Sequence, residues 1–333
     1  MGLIQERAAT LSESLLEGLR MPLRAVFYPL GFAVEITTND QAILDAAGES
    51  WSYLPQRHAC PTLRIRIRVV DGSGKECPRA PVVRTQQHIV SMVADADHQA
   101  ICDLEAGVAV VWLSRASLEY RSYLRYHFLE AIALVLISTS YATAIHAACV
   151  SRDGHGVLLC GDSGVGKSSL AYACARAGWT YTSDDASYLL HNARHPRVIG
   201  NARQVRFRPS AADLFPEIQG RDLTSRMEGK PSIEVPTREL PGLITAEEAS
   251  IHSIVFLNRR PSARSELSSL SEDVASQYFR QTIYSSEEVL RRQIEALQQL
   301  CSVAVYELRY QSFDQAIERL DELARVGRFS SVG

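Results

Sequence analysis

The sequence predicts an α/β domain preceded by a smaller α+β domain, and three observations carry that expectation. From about residue 145 onward, short apolar runs alternate with amphipathic stretches of helical period, the order that builds strands covered by helices. Between one such run and one such helix lies Gly161-Asp162-Ser163-Gly164-Val165-Gly166-Lys167-Ser168, which fits G-x-x-x-x-G-K-[ST]. Ahead of residue 118 the clearest signal is instead a strict two-residue alternation, the period of a strand with one wet face.

The first domain is expected over residues 1–117. Within it, Ala8, Leu11, Leu15, Leu16 and Leu19 form a helical stripe that stops before Pro22. Val26-Phe27-Tyr28 and residues 31–36 read as strands, and Asn39 or Asp40 then caps a short helix to about Ala47, with Gly48 as its stop. Leu63-Arg64-Ile65-Arg66-Ile67-Arg68-Val69 alternates throughout, so one face is basic. In a slightly acidic chain this reads as an edge strand with arginines in water rather than as a polyanion site. Asp71-Gly72-Ser73-Gly74 reads as a turn, and strands follow over 87–93, 98–103 and 108–113. The composition of this domain names no chemistry; binding of a substrate or partner is a role open to it. Residues 118–144 read as a long linking helix with Leu124, Phe128, Ile132, Val135 and Leu136 on its apolar side.

The second domain, residues 145–333, is organised by the glycine-rich motif. Val157-Leu158-Leu159-Cys160 ahead of it reads as a buried strand and residues 169–176 behind it as a helix, which is the context the pattern requires. Glycines at 161, 164 and 166 let the backbone turn tightly, so that amide N–H groups and the positive end of the helix converge on phosphate oxygens. Lys167 is then expected to neutralise the β- and γ-phosphates of a nucleoside triphosphate, and the Ser168 hydroxyl to be a ligand of Mg²⁺. The helix stops at Ala177-Gly178, and a strand over 179–182 leads into Asp184-Asp185, where a metal partner and a base for an attacking hydroxyl belong. His146 on its own reads as a core histidine.

Together these residues resemble a known family. Ile145-His146, the run from Gly154 through Ser168, Ala177-Gly178 and Ser183-Asp184-Asp185 look like the catalytic domain of HPr kinase/phosphorylase, which is related to ATP-dependent phosphoenolpyruvate carboxykinases. The resemblance implies a P-loop kinase fold and transfer of the γ-phosphoryl of ATP to a serine hydroxyl. It implies that Asp185 takes the proton from that hydroxyl; a carboxylate is ordinarily ionised at neutral pH, the form a base needs. It puts His146 near the reacting groups, Lys167 on the phosphates, Ser168 on Mg²⁺, and Asp184 at the metal through water. The nucleotide-binding set is Gly161, Asp162, Ser163, Gly164, Val165, Gly166, Lys167, Ser168 and Ser169.

The chain departs from the family on the acceptor side. Ser169 stands where the family has Glu, and the family's acidic residue followed by Ile-Arg-Gly is replaced by Ile199-Gly200-Asn201-Ala202-Arg203-Gln204-Val205-Arg206-Phe207-Arg208-Pro209. The expected acceptor is therefore a protein or peptide serine, either on an HPr-like carrier or on a biosynthetic precursor such as a lasso-peptide precursor. A small-molecule hydroxyl kinase and a non-catalytic ATP-binding regulator are the alternatives, and the retained His146 and Asp184-Asp185 argue against the regulator.

Beyond Asp185, residues 188–190 and 204–208 read as strands, 211–215 as a short helix, and 251–257 as a central strand. An amphipathic helix over 286–300, capped by Ser285 or Ser286, a strand over 303–308 and a helix over 312–324 close the chain. The charged segment 221–230 is a candidate mobile loop near the phosphates, from which Lys230 or an arginine would meet the transferred group; a solvated surface loop is the equal alternative.

The 333 residues, 46% hydrophobic and 22% charged, are those of a globular chain, and a net charge of −3 makes no case for nucleic acid or an anionic membrane. Seven cysteines without a C-x-x-C pair read as small buried hydrophobes in a reducing cytosol. Residues 1–7 lack the apolar run of a signal peptide, and the apolar stretch 128–150 contains Glu130 and His146 and is broken by Ser138-Thr139-Ser140. A cytoplasmic, membrane-free enzyme is expected. Oligomeric state, a homo-oligomer included, is left open.

Overall fold

The computed structural model describes residues 21–72, 77–223, 231–260, 265–280 and 287–330. The stripe at 6–19, the segment 224–230 and the expected caps Ser285 and Ser286 lie outside them. The chain divides into two units, one of Met1–Tyr141 with Tyr284–Leu290, the other of Ala142–Ile283 with Arg291–Gly333.

In the first unit, β1 (Leu23–Phe27), β2 (Val34–Thr38), β3 (Leu63–Val70), β4 (Val82–Gln86), β5 (Ile89–Val93), β6 (Gln99–Asp103) and β7 (Val108–Ser114) form a seven-stranded sheet in the order β1-β2-β3-β7-β6-β5-β4. The arginine-bearing strand is not an edge. β3 lies parallel between β2 and β7, because period-two alternation reports which face is wet and says nothing about neighbours in the sheet. Its other face, Leu63, Ile65, Ile67 and Val69, is buried. The helix α1 (Gln41–Trp51) starts where expected, with Asp40 Oδ1 accepting from the Ala42 N–H at 3.0 Å. It runs through Gly48 to Trp51, however: Ala47, Ser50 and Trp51 are buried, and that packing outweighs the helix cost of one glycine.

The linking helix is also shorter than its apolar run. Short helical turns and a π-helical stretch, Leu124–Glu130, lead into α2 (Ala131–Ser140), and the chain then turns at Tyr141. Residues that the sequence groups with the helix become a strand, because pairing with a distant strand satisfies their backbone.

The second unit holds β8 (Ala142–Ile145), β9 (Ala148–Arg152), β10 (His155–Cys160), α3 (Lys167–Arg176), β11 (Thr180–Ser183), β12 (Ser187–Leu190), β13 (Arg197–Gly200), β14 (Gln204–Phe207), β15 (Ile233–Pro236), β16 (Ile244–Thr245), β17 (Glu248–Arg259), β18 (Glu266–Ser269), α4 (Glu272–Arg280), α5 (Glu287–Cys301) from Arg291 onward, β19 (Ala304–Tyr310) and α6 (Phe313–Ser330). It is a mixed α/β structure: a large sheet runs β16-β11-β9-β10-β17-β13-β12-β8, with β19 joined to β17 and β18 to β19. β14 and β15 form a separate two-stranded ribbon. One face of the large sheet packs on α3, α6 and the ribbon, through Leu170, Tyr172, Phe207, Val235 and Leu320; the other packs on α4 and α5, through Phe279, Leu297 and Leu300.

β10 is buried along its whole length between antiparallel β9 and parallel β17, which is why it reads as an unbroken apolar run. Gly156 is required there, since a Cβ at this position would stand 2.1 Å from the Ser250 carbonyl oxygen. Among the described residues no helix is long and apolar enough to cross a membrane. All seven cysteines are unpaired; Cys102, Cys149, Cys160, Cys174 and Cys301 are buried.

One topological detail positions the site. β8 pairs antiparallel with β12, with Ile145 opposite Ser187, and β9 pairs antiparallel with β11, with Cys149 opposite Ser183. Three residues lie between these pairs on each segment, so the register of the two pairs is the same on both sides of the gap. Residues 146–147 and 184–186 are the two facing segments where this ladder is interrupted. Ser187 Oγ bridges them, donating to the Ala147 carbonyl at 3.0 Å and meeting Ser183 Oγ at 2.6 Å.

Candidate active site

The motif residues form a loop between β10 and α3. Gly161, Gly164 and Gly166 take φ values of 136°, 93° and 106°, a region closed to most side chains, and so allow the tight turn that the spacing predicts. The Val165 N–H donates to the Asp162 carbonyl at 3.2 Å, and α3 begins with Leu170 N–H on the Gly166 carbonyl at 2.8 Å. Asp162, Ser163 and Gly164 face solvent, while Val165, Gly166, Ser168 and Ser169 are half-buried.

Lys167 is the buried centre of the loop. It is 4% exposed, and its Nζ donates to the carbonyls of Gly161 at 2.7 Å and Asp162 at 3.2 Å. Burial pulls its ammonium below the ordinary lysine value, against the opposing pull of the Asp185 carboxylate. A cation desolvated among carbonyl oxygens, at the positive end of a helix, is electrostatically prepared to meet an anion.

The acids stand beside this loop. Ser168 Oγ donates to the Asp184 carbonyl at 3.1 Å, which ties the first turn of α3 to the end of β11. The Asp184 side chain accepts the Arg206 N–H at Oδ2, 2.7 Å away, and burial pushes its carboxyl up to about 6. Asp185 turns the other way. Its Oδ1 lies 3.4 Å from His146 Nδ1, and both side chains are open to solvent. The interrupted ladder accounts for this meeting: His146 and Asp185 are near-opposite residues of the two crossing segments. His146 thus follows a strand, not the end of a helix.

Among the described residues no group of three or more His, Cys, Asp or Glu side chains is placed to hold a metal by itself. Mg²⁺ characteristically uses only one or two protein carboxylates, with water and substrate phosphates completing its shell. Ser168 meets Asp184 through the latter's main-chain carbonyl, and the Asp184 carboxylate itself is engaged by the Arg206 N–H.

Two further residues that the sequence does not single out, Arg208 and Tyr278, reach the loop, and a third, Arg206, holds the acid beside it. Arg208, just past β14, places Nη2 3.4 Å from Ser163 Oγ, and its charge is felt at Lys167. Arg206 holds Asp184 through its main chain and Glu234 through its Nε at 3.1 Å. Tyr278, on α4, donates its hydroxyl toward the carbonyls of His146 and Gly161. All three come from elements distant in the chain, and no local pattern marks them. Of the charged segment 221–230, Arg221 pairs with Glu239 at 2.6 Å, and the remainder from 224 to 230 lies outside the described residues.

No family model matches the chain, and no curated protein matches it. Solved structures do. The HPr(Ser) kinase/phosphatase from Coxiella burnetii aligns over 57% of this chain and 99% of its own, at 15% identity and a TM-score of 0.34, a distant structural relationship.

Proposed function

We propose that this chain is an ATP- and Mg²⁺-dependent kinase that transfers the γ-phosphoryl group to a serine hydroxyl of a protein or peptide. The observation that carries the reading is the buried Lys167 enclosed by a turn of three positive-φ glycines, with a carboxylate and an imidazole in contact beside it. The resemblance of residues 145–185 to HPr kinase/phosphorylase supports the same chemistry. The altered region 199–209 favours an acceptor other than the carrier itself, such as a biosynthetic precursor peptide.

In this mechanism the loop amides and Lys167 hold the β- and γ-phosphates, and Arg208 adds a second cation at the rim. Ser168 and Asp184 would hold Mg²⁺, which when bound would offset the negative charge of the phosphates. Asp185 accepts the proton of the acceptor hydroxyl as its oxygen bonds to the γ-phosphorus and the bond to the β–γ bridging oxygen breaks. His146, against Asp185, fixes the orientation of that carboxylate.

The test is incubation with γ-labelled ATP, Mg²⁺ and candidate acceptor proteins and peptides. Label on a serine of one of them, lost in Asp185→Asn, is the expected result. A wild-type chain that binds neither ATP nor ADP overturns the reading; binding without transfer to any acceptor leaves a nucleotide-sensing regulator.

A further inference from the structure

Tyr278 joins the glycine loop to His146 through main-chain atoms. Its hydroxyl is 2.9 Å from the His146 carbonyl, 3.0 Å from the Gly161 carbonyl and 3.3 Å from the Gly161 N–H, which donates to it. The ring is fixed edge-on against Phe256 and Phe279, each at 5.2 Å between centroids, so the oxygen has little freedom. Burial pushes the phenol up to about 12, and it keeps its hydrogen at any working pH.

A phenol has one hydrogen, and here two carbonyls compete for it. One of them, Gly161, already receives Lys167 Nζ at 2.7 Å. If Lys167 turns toward a phosphate, Gly161 loses that donor, and an unsatisfied carbonyl in a half-buried loop is costly. Rotation about a single C–O bond brings the Tyr278 hydrogen onto Gly161 and releases His146.

Resting on the nucleotide reading above, we propose that Tyr278 is a positioning residue for the site. Its hydroxyl hydrogen moves from the His146 carbonyl to the Gly161 carbonyl when Lys167 engages a phosphate, coupling occupancy of the loop to the segment that carries the histidine. The catalytic groups are untouched by this exchange; what changes is which main-chain atom the hydroxyl restrains.

The test uses Tyr278→Phe in the full chain with Mg²⁺ and ADP as the probe. Loss of the hydroxyl should weaken ADP binding roughly threefold to tenfold, and should also lower the melting temperature without nucleotide by a few degrees because the His146 carbonyl and the Gly161 N–H each lose a partner. In a Lys167→Met background the same substitution should change ADP binding less than twofold, because the shared carbonyl no longer has a donor to exchange. Equal effects in both backgrounds indicate a merely structural role and overturn the proposal. A second measurement does not depend on the variant folding: hydrogen exchange of wild type should change on ADP addition both at Gly161 and in residues 146–148. Protection at the loop with no change at 146–148 overturns the coupling alone. A wild type that binds no ADP overturns the nucleotide reading together with it.

Discussion

Lys167 is a charged side chain kept almost entirely from water with only two carbonyls as partners, an arrangement that costs stability until an anion offsets the charge. Lys167→Ala is therefore expected to weaken ATP binding roughly ten- to a hundredfold, the scale of charge-assisted hydrogen bonds, as read by titration calorimetry. Asp185→Asn should leave that affinity within several-fold and lower the transfer rate about 10²- to 10⁴-fold, and unchanged turnover removes Asp185 from the base role. Arg208→Ala should raise the KM for ATP several-fold with a smaller effect on kcat if the guanidinium meets phosphate equally before and during transfer. The motif residues were legible because their contacts are local, strand to turn to helix within a dozen positions. Tyr278 and Arg208 were not, since they reach the loop from 117 and 45 residues away.

At the scale of elements, β10 sets the position of the loop and tolerates little change. Gly156→Ala would drive a methyl group into the Ser250 carbonyl, and thermal unfolding should begin about 2–10 °C lower, on the overpacking scale of about 1–3 kcal/mol. His155, at the other end of the strand from the loop, is 7% exposed, meets Ser253 Oγ at 3.0 Å and stacks on His252. Burial, reinforced by His252, lowers it to about 4 from the usual 6.5. Its folded pKa is thus below its unfolded one, the unfolded chain binds more protons between those values, and stability rises as pH climbs through that window. The urea midpoint should therefore increase from pH 4.5 to pH 6.5, by a contribution on the order of 1–3 kcal/mol that His155→Gln removes. Strong alternation and capping made α1, β3 and β17 readable in the sequence. β9 and β13, short strands without clear alternation, carried no such sign, and β8 was absorbed into the apolar run of the preceding helix.

For the whole molecule, a ligand that binds only the folded chain stabilises it in proportion to the logarithm of its concentration. Mg²⁺ with ATP at about 100 times the dissociation constant should add roughly 2.7 kcal/mol, seen as a melting shift of about 5 °C or more in wild type and little or none in Lys167→Ala. The α/β character of the second unit was legible from its alternating runs, because each helix and strand announces its own period. The order of strands was not. β14 and β15 leave the large sheet as a separate ribbon, and β9 comes between the loop-bearing strand and the acid-bearing one, arrangements fixed by pairings across long stretches of chain.

The interrupted ladder also acts as a counting device. The register of the flanking pairs sets His146 opposite Ala186, and the bends at His146 and at Asp184-Asp185 break strict alternation, so the imidazole and its carboxylate meet through the length of the crossing segments together with their departure from extended backbone. Deleting Ala147 would remove a fully buried residue whose carbonyl accepts the Ser187 hydroxyl, and deleting either Ala147 or Ala186 would pull the two flanking pairs out of their common register. Insertion or deletion is therefore excluded at this place, the reverse of what surface loops ordinarily tolerate.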